Sequence, residues 1–291
     1  MSIRAIMMPV GGASEDRSEL SAGITVAQLL ASHLEAVYVR PDPYKSLVHL
    51  GLLETDRDAA IQDMRARMDE RGKAEADRFR RSFSALCRKA GVPKIRHPEA
   101  AQAATARWRT LKGYACEVIP ALARGADLSL FTASPAHYNL LSENLLEITL
   151  LCSGRPVLFV PAGCEIRAFR RAVVAWDRSS GCARAVSAWL DMADEAATAT
   201  ILQVHEQPGG ELPDTSEVVA HLGWHGVAAG ERTVRPGSDS VGEILLDSAG
   251  PASADILVMG GYGHARYLEA LLGGVTRHVL RYARIPVLMS H

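Results

Sequence analysis

ADILVMGGYGHARYLEALLGGVTRHVLRYARIPVLMSH, residues 254–291, is the stretch that decides the fold. It begins with a short apolar run, Ile256 to Met259, which is typical of a buried parallel strand. Glycines follow at once, then a helical stretch that Ile285-Pro286 ends. Val287 to Met289 predicts a last strand. This order predicts one strand-helix-strand unit of a parallel sheet.

The glycines in this stretch form a pattern that could bind phosphate. Gly260 and Gly263 follow the strand, and after nine further residues come Gly273 and Gly274. A chain that turns from a strand into a helix has free backbone N–H groups, and phosphate oxygens can reach them where side chains are absent. Thr276 could add a hydroxyl. The alternative is that these glycines only make a tight turn and allow close packing.

Composition indicates a globular chain without extreme charge. The 291 residues are enough for two domains with a core each. The composition, 48% hydrophobic and 22% charged, is that of a globular protein. The net charge of −1 gives no reason to expect nucleic acid or a membrane as a partner. No signal peptide or bilayer-spanning stretch is evident, so a cytoplasmic location is expected. The five cysteines lack metal-ligand spacing, and we expect reduced, mostly buried thiols.

The chain contains an internal repeat. AIMMPVGGAS from Ala5 resembles RAVVAWDRSS from Arg171, and the closing strands share the letters PVL. An aspartate precedes the fourth strand of each half, at Asp127 and at Asp255. Each half therefore reads as five strands alternating with helices, which predicts a parallel sheet with helices on both faces.

The repeat divides the chain into two predicted domains, residues 1–163 and residues 168–291. Each is expected to be a five-stranded parallel sheet of order 3-2-1-4-5, and the first is longer and has a long polar helix near residues 56–90. The last strands, Val157–Val160 and Val287–Met289, are apolar and would be exposed sheet edges. Pairing them within one chain would cover both, and the sequence leaves a further association into a homodimer open.

Three local predictions rest on weaker patterns. A short third strand is predicted in the first half at Lys94–His97. The basic and aromatic cluster Arg107-Trp108-Arg109 is expected in a solvated loop. Helix N-caps are expected at Asp214 or Thr215, of which only Asp214, with Glu217, fits a capping box, and at Ser238 or Asp239.

The predicted sheet places a ligand site in the second half. Ligands of such sheets bind beyond the carboxyl ends of the strands where the strand order reverses, here between the first and fourth strands. The first strand ends at Trp176-Asp177 and the fourth at Gly260. Asp177 could accept hydrogen bonds from a base or ribose, and Val204, at the end of the second strand, could pack on the base. A nucleotide is therefore the predicted ligand.

These features resemble those of the universal stress proteins, in a tandem of two UspA-type domains. The family has G-x2-G-x9-G-[ST] after the fourth strand and an aspartate after the first, and here Gly260, Gly263, Gly273 and Gly274 stand with Asp177. The resemblance implies a Rossmann-like fold of the adenine nucleotide alpha hydrolase type that binds ATP, AMP or ADP, with Mg²⁺ a possible companion of ATP. It also implies a binding or regulatory role in stress tolerance and pairing through the last strand.

The expected nucleotide site can be given residue by residue. In chain order it comprises Trp176, Asp177, Arg178, Val204, Gly260, Gly263, His264, Gly273, Gly274, Val275 and Thr276. Two of these depart from the family. Gly274 stands in place of Ser or Thr, and Arg178 stands where glycine is usual, so it either crowds the loop or brings a cation toward phosphate. His264 is either a solvated loop residue or a partner of phosphate charge.

The first half lacks the same signature. Gly11 replaces the aspartate, and Thr132-Ala133-Ser134-Pro135 replaces the first glycine pair. We expect this half to bind no nucleotide in the family's manner and to serve as a structural partner. Two other functions stay open for the whole chain. One is a slow ATPase, for which no catalytic base or metal ligand stands out, and the other is a ligand-free dimeric scaffold.

Overall fold

Strands and helices alternate along the whole chain. The computed structural model describes residues 2–11, 17–43, 59–97, 102–133, 140–205, 214–250, 253–261 and 274–291. The strands are β1 (Ala5–Val10), β2 (His33–Arg40), β3 (Thr105–Lys112), β4 (Leu128–Ala133), β5 (Val157–Pro161), β6 (Arg171–Ala175), β7 (Thr198–Val204), β8 (Ala228–Val234), β9 (Ile256–Gly260) and β10 (Val287–Ser290). The helices are α1 (Arg17–Leu29), α2 (Ala59–Lys89), α3 (Ala115–Ala123), α4 (Leu140–Ser153), α5 (Ser180–Leu190), α6 (Ser216–Trp224), α7 (Val241–Ala249) and α8 (Gly274–Tyr282).

The strands of the described residues form one sheet of order β3-β2-β1-β4-β5-β10-β9-β6-β7-β8. Each half contributes the order 3-2-1-4-5, so the predicted fold class, an α/β fold with a parallel sheet, is confirmed. Neighbouring strands are parallel except β5 and β10, which are antiparallel with Leu158 opposite Leu288. Helices α1, α2, α5 and α6 pack on one face, and α3, α4, α7 and α8 pack on the other.

The centre of the sheet is the most apolar part of the core. Every residue of β5 and of β10 is buried. Both strands have a neighbour on each side and helices above and below, and strands in that environment are continuous apolar runs rather than alternating ones. This burial explains why the sequence shows VLFVP and PVLMS as unbroken apolar stretches.

An aspartate fixes the start of the first strand in each half. The Asp127 carboxylate accepts hydrogen bonds from the N–H groups of Arg4 and Ala5, both at 2.9 Å. The Asp255 carboxylate accepts one from the N–H of Arg171 at 3.0 Å and pairs with the Arg171 guanidinium at 2.8 Å. These bonds satisfy backbone donors that the sheet ladder leaves unpaired at its end. The repeated aspartates are therefore structural.

The predicted third strand of the first half was wrong. The strand is Thr105–Lys112, and within Lys94–His97 only Lys94 forms an isolated bridge, to Ala106. Arg107-Trp108-Arg109 consequently lies inside β3 rather than in a solvated loop. β3 is at the edge of the sheet, where polar and charged residues are favoured, so it lacks the apolar pattern of a buried strand.

Of the predicted N-caps, Thr215 is confirmed at the start of α6, although its side chain makes no capping hydrogen bond, and those for α7 were wrong. Ser240 caps α7 in a full capping box with Glu243, so neither Ser238 nor Asp239 is the cap. Asp214 accepts a hydrogen bond from the N–H of Ser216 at 2.9 Å, a local turn rather than a capping box. Short polar side chains make such turn bonds as readily as caps, which is why the sequence alone misplaces them.

The cysteines are all free, as expected, but they are not mostly buried. Cys87 and Cys182 are buried, Cys164 is half-buried, and Cys116 and Cys152 are exposed. Within the described part of the chain, none of the helices has the length and apolar character needed to cross a membrane.

We predict that Asp255→Asn lowers the free energy of unfolding by about 1 kcal/mol at neutral pH, because the amide loses the ion pair with Arg171. Burial opposes ionisation of Asp255, but the hydrogen bonds from Arg171 outweigh it and hold the pKa below 3.8. The stabilisation is therefore present above the ordinary pKa and lost as the pH falls through the lower folded-state value. Urea unfolding at neutral pH and at about pH 3 measures this.

Asp127→Asn is the matched control, because the described contacts of Asp127 are to backbone N–H groups alone and an amide oxygen can still accept from them. Asp127→Asn should lower the free energy of unfolding less than Asp255→Asn does. Equal losses in the two variants, independent of pH, would contradict the role of the ion pair.

Candidate functional site

The reversal of strand order in the second half brings the ends of β6 and β9 together. Ala175 lies opposite Met259, so the next residues, Trp176 and Gly260, emerge side by side. The N–H of Trp176 also donates to the carbonyl of Leu202 in β7 at 2.9 Å. The carboxyl edge of the sheet therefore collects the ends of β6, β7 and β9, as the sequence predicts.

The two valines of the predicted site share one face of the sheet, and Trp176 does not. Val204 and Val275 both pack against the core on the face of α7 and α8. The half-buried Trp176 packs against the core on the face of α5 and α6. The structure thus places Val204 on the face of α7 and α8 and the indole with the opposite helices.

Asp177 is exposed at the end of β6 and is held by one hydrogen bond. Its Oδ1 accepts from the N–H of Ser179 at 2.9 Å, and Ser179 in turn caps α5 by accepting from the N–H of Cys182 at 3.0 Å. Oδ2 of Asp177 has no partner among the described residues. This arrangement fixes the carboxylate and leaves one oxygen that can accept a hydrogen bond from a ligand.

Gly260 lies where β9 approaches the start of α5 most closely. A Cβ on Gly260 would be 2.8 Å from Ser179 Oγ, closer than real Cβ atoms come, and 3.0 Å from the Cys182 nitrogen, which is tighter than most real contacts. Gly181 is similar, because its Cβ would be 2.8 Å from the carbonyl oxygen of Ser290. Close packing, the alternative offered for the glycines, therefore explains Gly260, and it does so without a ligand.

Gly261 also has a structural explanation. Its N–H donates to the carbonyl of Ser290 at 2.9 Å, so this amide is not available to a phosphate. A Cβ there would be 2.5 Å from Cδ2 of Leu150, a residue of α4 in the first half of the chain. If phosphate binds at this edge, its backbone donors have to come from residues after Gly261.

Cys182 lies beneath the site and is not a nucleophile. Its thiol donates to the carbonyl of Ala175 at 3.2 Å. Burial, with a smaller contribution from the negative charge of Asp177, raises the pKa of Cys182 to about 12. A thiol that stays protonated is unreactive, so the pocket offers no thiolate chemistry.

Arg178 has the backbone conformation that glycine prefers. Its φ is +62°, in the left-handed region, and this is the position where the resembled family usually has glycine. Arg178 is exposed, and its charge reaches Asp214, just before α6. The pKa of Asp214 is lowered mainly by hydrogen bonds from Ser216, and the positive charge of Arg178 lowers it further. Arg178 therefore strains the loop and also brings a cation to this edge of the sheet.

The start of α8 faces the same edge, because α8 leads into β10 and β10 is parallel to β9. Gly274 is exposed, and a Cβ on it would meet no atom of the described residues within 4 Å. Thr276 is only 3% exposed, so its side chain points into the protein rather than toward solvent. A serine would fit at position 274, but the buried Thr276 is poorly placed to replace the missing hydroxyl.

The remaining predicted residues, Gly263, His264 and Gly273, lie outside the described residues. Sequence reasoning missed Ser179 and Gly181, although Asp-x-Ser directly before a helix is a recognisable capping signal. Within the described ranges, no three His, Cys, Asp or Glu residues come close enough together to hold a metal ion.

Comparison with known proteins identifies the second half. Residues 168–291 match the Universal stress protein family. These residues form a universal stress protein domain. That the first half is a second universal stress protein domain stays a prediction. No curated protein matches the sequence.

Solved structures show that the fold extends over both halves. A universal stress protein from Archaeoglobus fulgidus DSM 4304 is 17% identical with a TM-score of 0.62, over 98% of this chain and 95% of its own. A protein of unknown function from Pseudomonas aeruginosa PAO1 is 16% identical with a TM-score of 0.50, over 98% and 92%. At these identities the likeness shows the fold alone. A universal stress protein solved with cAMP is 23% identical over 43% of this chain and 99% of its own, but its TM-score of 0.34 supports no statement about the ligand here.

We predict that Arg178→Gly raises the free energy of unfolding by about 0.5–1 kcal/mol, because glycine adopts the left-handed conformation without steric cost. Arg178→Ala removes the same charge but keeps the Cβ, and it should change stability little. Urea unfolding of both variants separates the backbone effect from the charge. Equal stabilisation by glycine and alanine would show that the guanidinium, and not the backbone, is unfavourable.

Proposed function

We propose that the protein binds an adenine nucleotide in its universal stress protein domain and acts as a binding or regulatory protein of the stress response. The observation that carries this proposal is the position of Asp177. Its carboxylate is fixed by Ser179, keeps one free oxygen among the described residues, and lies beside Gly260 where the strand order reverses. A carboxylate in that position suits the donors of a ribose or base.

The phosphates of this nucleotide would lie toward the starts of α5 and α8. Both helices begin at this edge of the sheet, and a helix N-terminus favours an anion through its free N–H groups and its dipole. Arg178 supplies a cation at the same edge. ATP is the proposed nucleotide, with AMP and ADP as the other candidates, and a Mg²⁺ ion would then be held by the phosphates rather than by a cluster of protein carboxylates.

In the first half, side chains of α2 cover the end of β2, beside the position that corresponds to Asp177. Gly11 stands in place of Asp177, and a Cβ on it would be 3.2 Å from the ring of Tyr38. The Tyr38 hydroxyl donates to Glu75 of α2 at 2.9 Å, and burial together with that carboxylate raises the pKa of Tyr38 far above its ordinary value. Arg40 also pairs with Asp69 of α2 at 2.9 Å. The long helix α2 therefore covers the end of β2, which supports a first half without a nucleotide.

We predict that Gly274→Ser increases the affinity for ATP by about threefold to tenfold, because a hydroxyl at this position fits and would add one hydrogen bond to phosphate. Gly274→Ala is the matched control, since it adds the same Cβ without the hydroxyl and should leave affinity unchanged. Gly263→Val should abolish binding by placing a side chain inside the proposed cradle. Isothermal titration calorimetry with ATP, ADP and AMP measures all three.

The other functions give different results in the same experiment. Equal heats for the wild type and Gly263→Val would end the nucleotide proposal and favour the scaffold. That alternative has specific support, because Gly260 and Gly261 are explained by packing. Phosphate release that exceeds the Gly263→Val background would indicate an ATPase.

We further propose that the two halves pair with each other within one chain and that the first half supports the end of β9 and helix α8. The antiparallel register of β5 and β10 covers two apolar edges. Leu150 of α4 contacts the end of β9 at Gly261, and Glu147 lies 4.0 Å from Arg277 of α8. A homodimer would then have to use other surfaces.

We predict that Gly261→Ala costs about 1–3 kcal/mol of stability, because its methyl group would overlap Leu150. In a Leu150→Ala background the same change should cost much less or stabilise, because the methyl group then enters the vacated space. A double-mutant cycle by urea unfolding measures the difference. Additive effects would show that the halves do not pack in this way in solution.

A further inference from the structure

The first half carries a strong local charge that the net charge of −1 conceals. From Arg78 to His97 the sequence has seven lysines and arginines and no aspartate or glutamate. These residues belong to the second half of α2 and to the segment that follows it. A region of this kind attracts anions although the whole chain is nearly neutral.

The structure concentrates these cations in one groove. The groove lies between the second half of α2, the segment 94–97 and the edge strand β3, and it has a volume of about 950 Å³. Arg81 and Arg88 line it from α2, Lys94 and Arg96 from the segment, and Trp108 from β3. None of its described lining residues is an aspartate or glutamate.

Much of this charge is not compensated. Arg80 pairs with Asp77 at 3.0 Å, and Arg107 lies 3.8 Å from Glu35. Arg81, Arg88 and Arg96 make no ion pair with any described residue. Three guanidinium groups that pair with no described carboxylate keep their binding capacity for an external anion, and guanidinium groups suit phosphate oxygens in particular.

The aromatic residue in the groove is held in a fixed position. The ring of Trp108 packs against Phe83 with 5.7 Å between centroids, and its Nε1 donates to Oγ1 of Thr110 at 2.9 Å. The side chain is half-buried and lines the groove. A fixed indole beside cations offers a flat apolar surface on which a base can stack.

We propose that this groove binds single-stranded nucleic acid. Surfaces that bind single strands combine a positively charged groove, which follows the phosphates, with aromatic side chains that stack on bases. Arg81 and Arg88 are seven residues apart on one helix, a separation of about 10.5 Å along its axis, which corresponds to roughly three stacked nucleotides. An acidic peptide would neutralise the cations, but it would not use the indole. The proposal departs from the expectation that nucleic acid is not a partner.

Fluorescence anisotropy with labelled oligo-uridine and oligo-thymidine of about 20 nucleotides tests the proposal on the full chain. The wild type should bind at about 50 mM salt and weaken steeply as salt increases. Arg81→Gln with Arg88→Gln should weaken binding at least about tenfold and reduce the salt slope by about 1.4, because each phosphate contact on a single strand contributes about 0.7. Trp108→Phe should weaken binding less, since a smaller ring can still stack.

The matched control is Arg232→Gln with Arg235→Gln, which removes the same charge from exposed positions at the opposite end of the sheet. It should bind like the wild type. Absence of binding at low salt, an equal loss in the control, or tighter binding of duplex or of poly-glutamate would overturn the proposal. Gly263→Val should bind the oligonucleotide normally, so this result and the nucleotide proposal can fail independently.

Discussion

The contact between the end of β9 and the start of α5 is the constraint on which the second half depends. Gly260 has no side chain, and only for that reason can β9 lie within reach of Ser179 and Cys182. Ser179 then both caps α5 and holds Asp177 through its own N–H. One close approach thus sets the position of a strand end, a helix start and a carboxylate. A ligand that binds here meets a framework whose geometry exists before it arrives.

The same topology in the first half leads to a different surface. There the end of β2 is covered by α2, whose Asp69 and Glu75 pair with Arg40 and Tyr38. The other end of α2 carries the uncompensated arginines of the groove beside β3. One long helix therefore covers a strand end at the carboxyl edge of the sheet and supplies the cations for a second surface. The fold is duplicated, but the two halves are chemically different.

The central part of the fold could be predicted from the sequence because burial on both faces leaves a simple pattern. β5 and β10 are unbroken apolar runs, and the repeated aspartates reveal two equivalent strand starts. β3 could not be placed, because an edge strand faces solvent and Arg107 and Arg109 are stabilised by Glu35 of β2, a contact that the sequence does not display. The same limit applies to helix caps, where several polar residues compete within three positions.

The candidate site was predictable in position but not in the role of each glycine. Strand order requires Asp177 and Gly260 to meet, whatever their function. Whether a backbone N–H is free depends on its partner in space, and the partner of Gly261 is Ser290, which is far from the turn in sequence order. The glycine pattern in the sequence therefore overestimates the number of free backbone N–H donors. The resemblance to universal stress proteins and the open oxygen of Asp177 favour a nucleotide, while Gly260 and Gly261 would be glycines in this structure even if no ligand were ever bound.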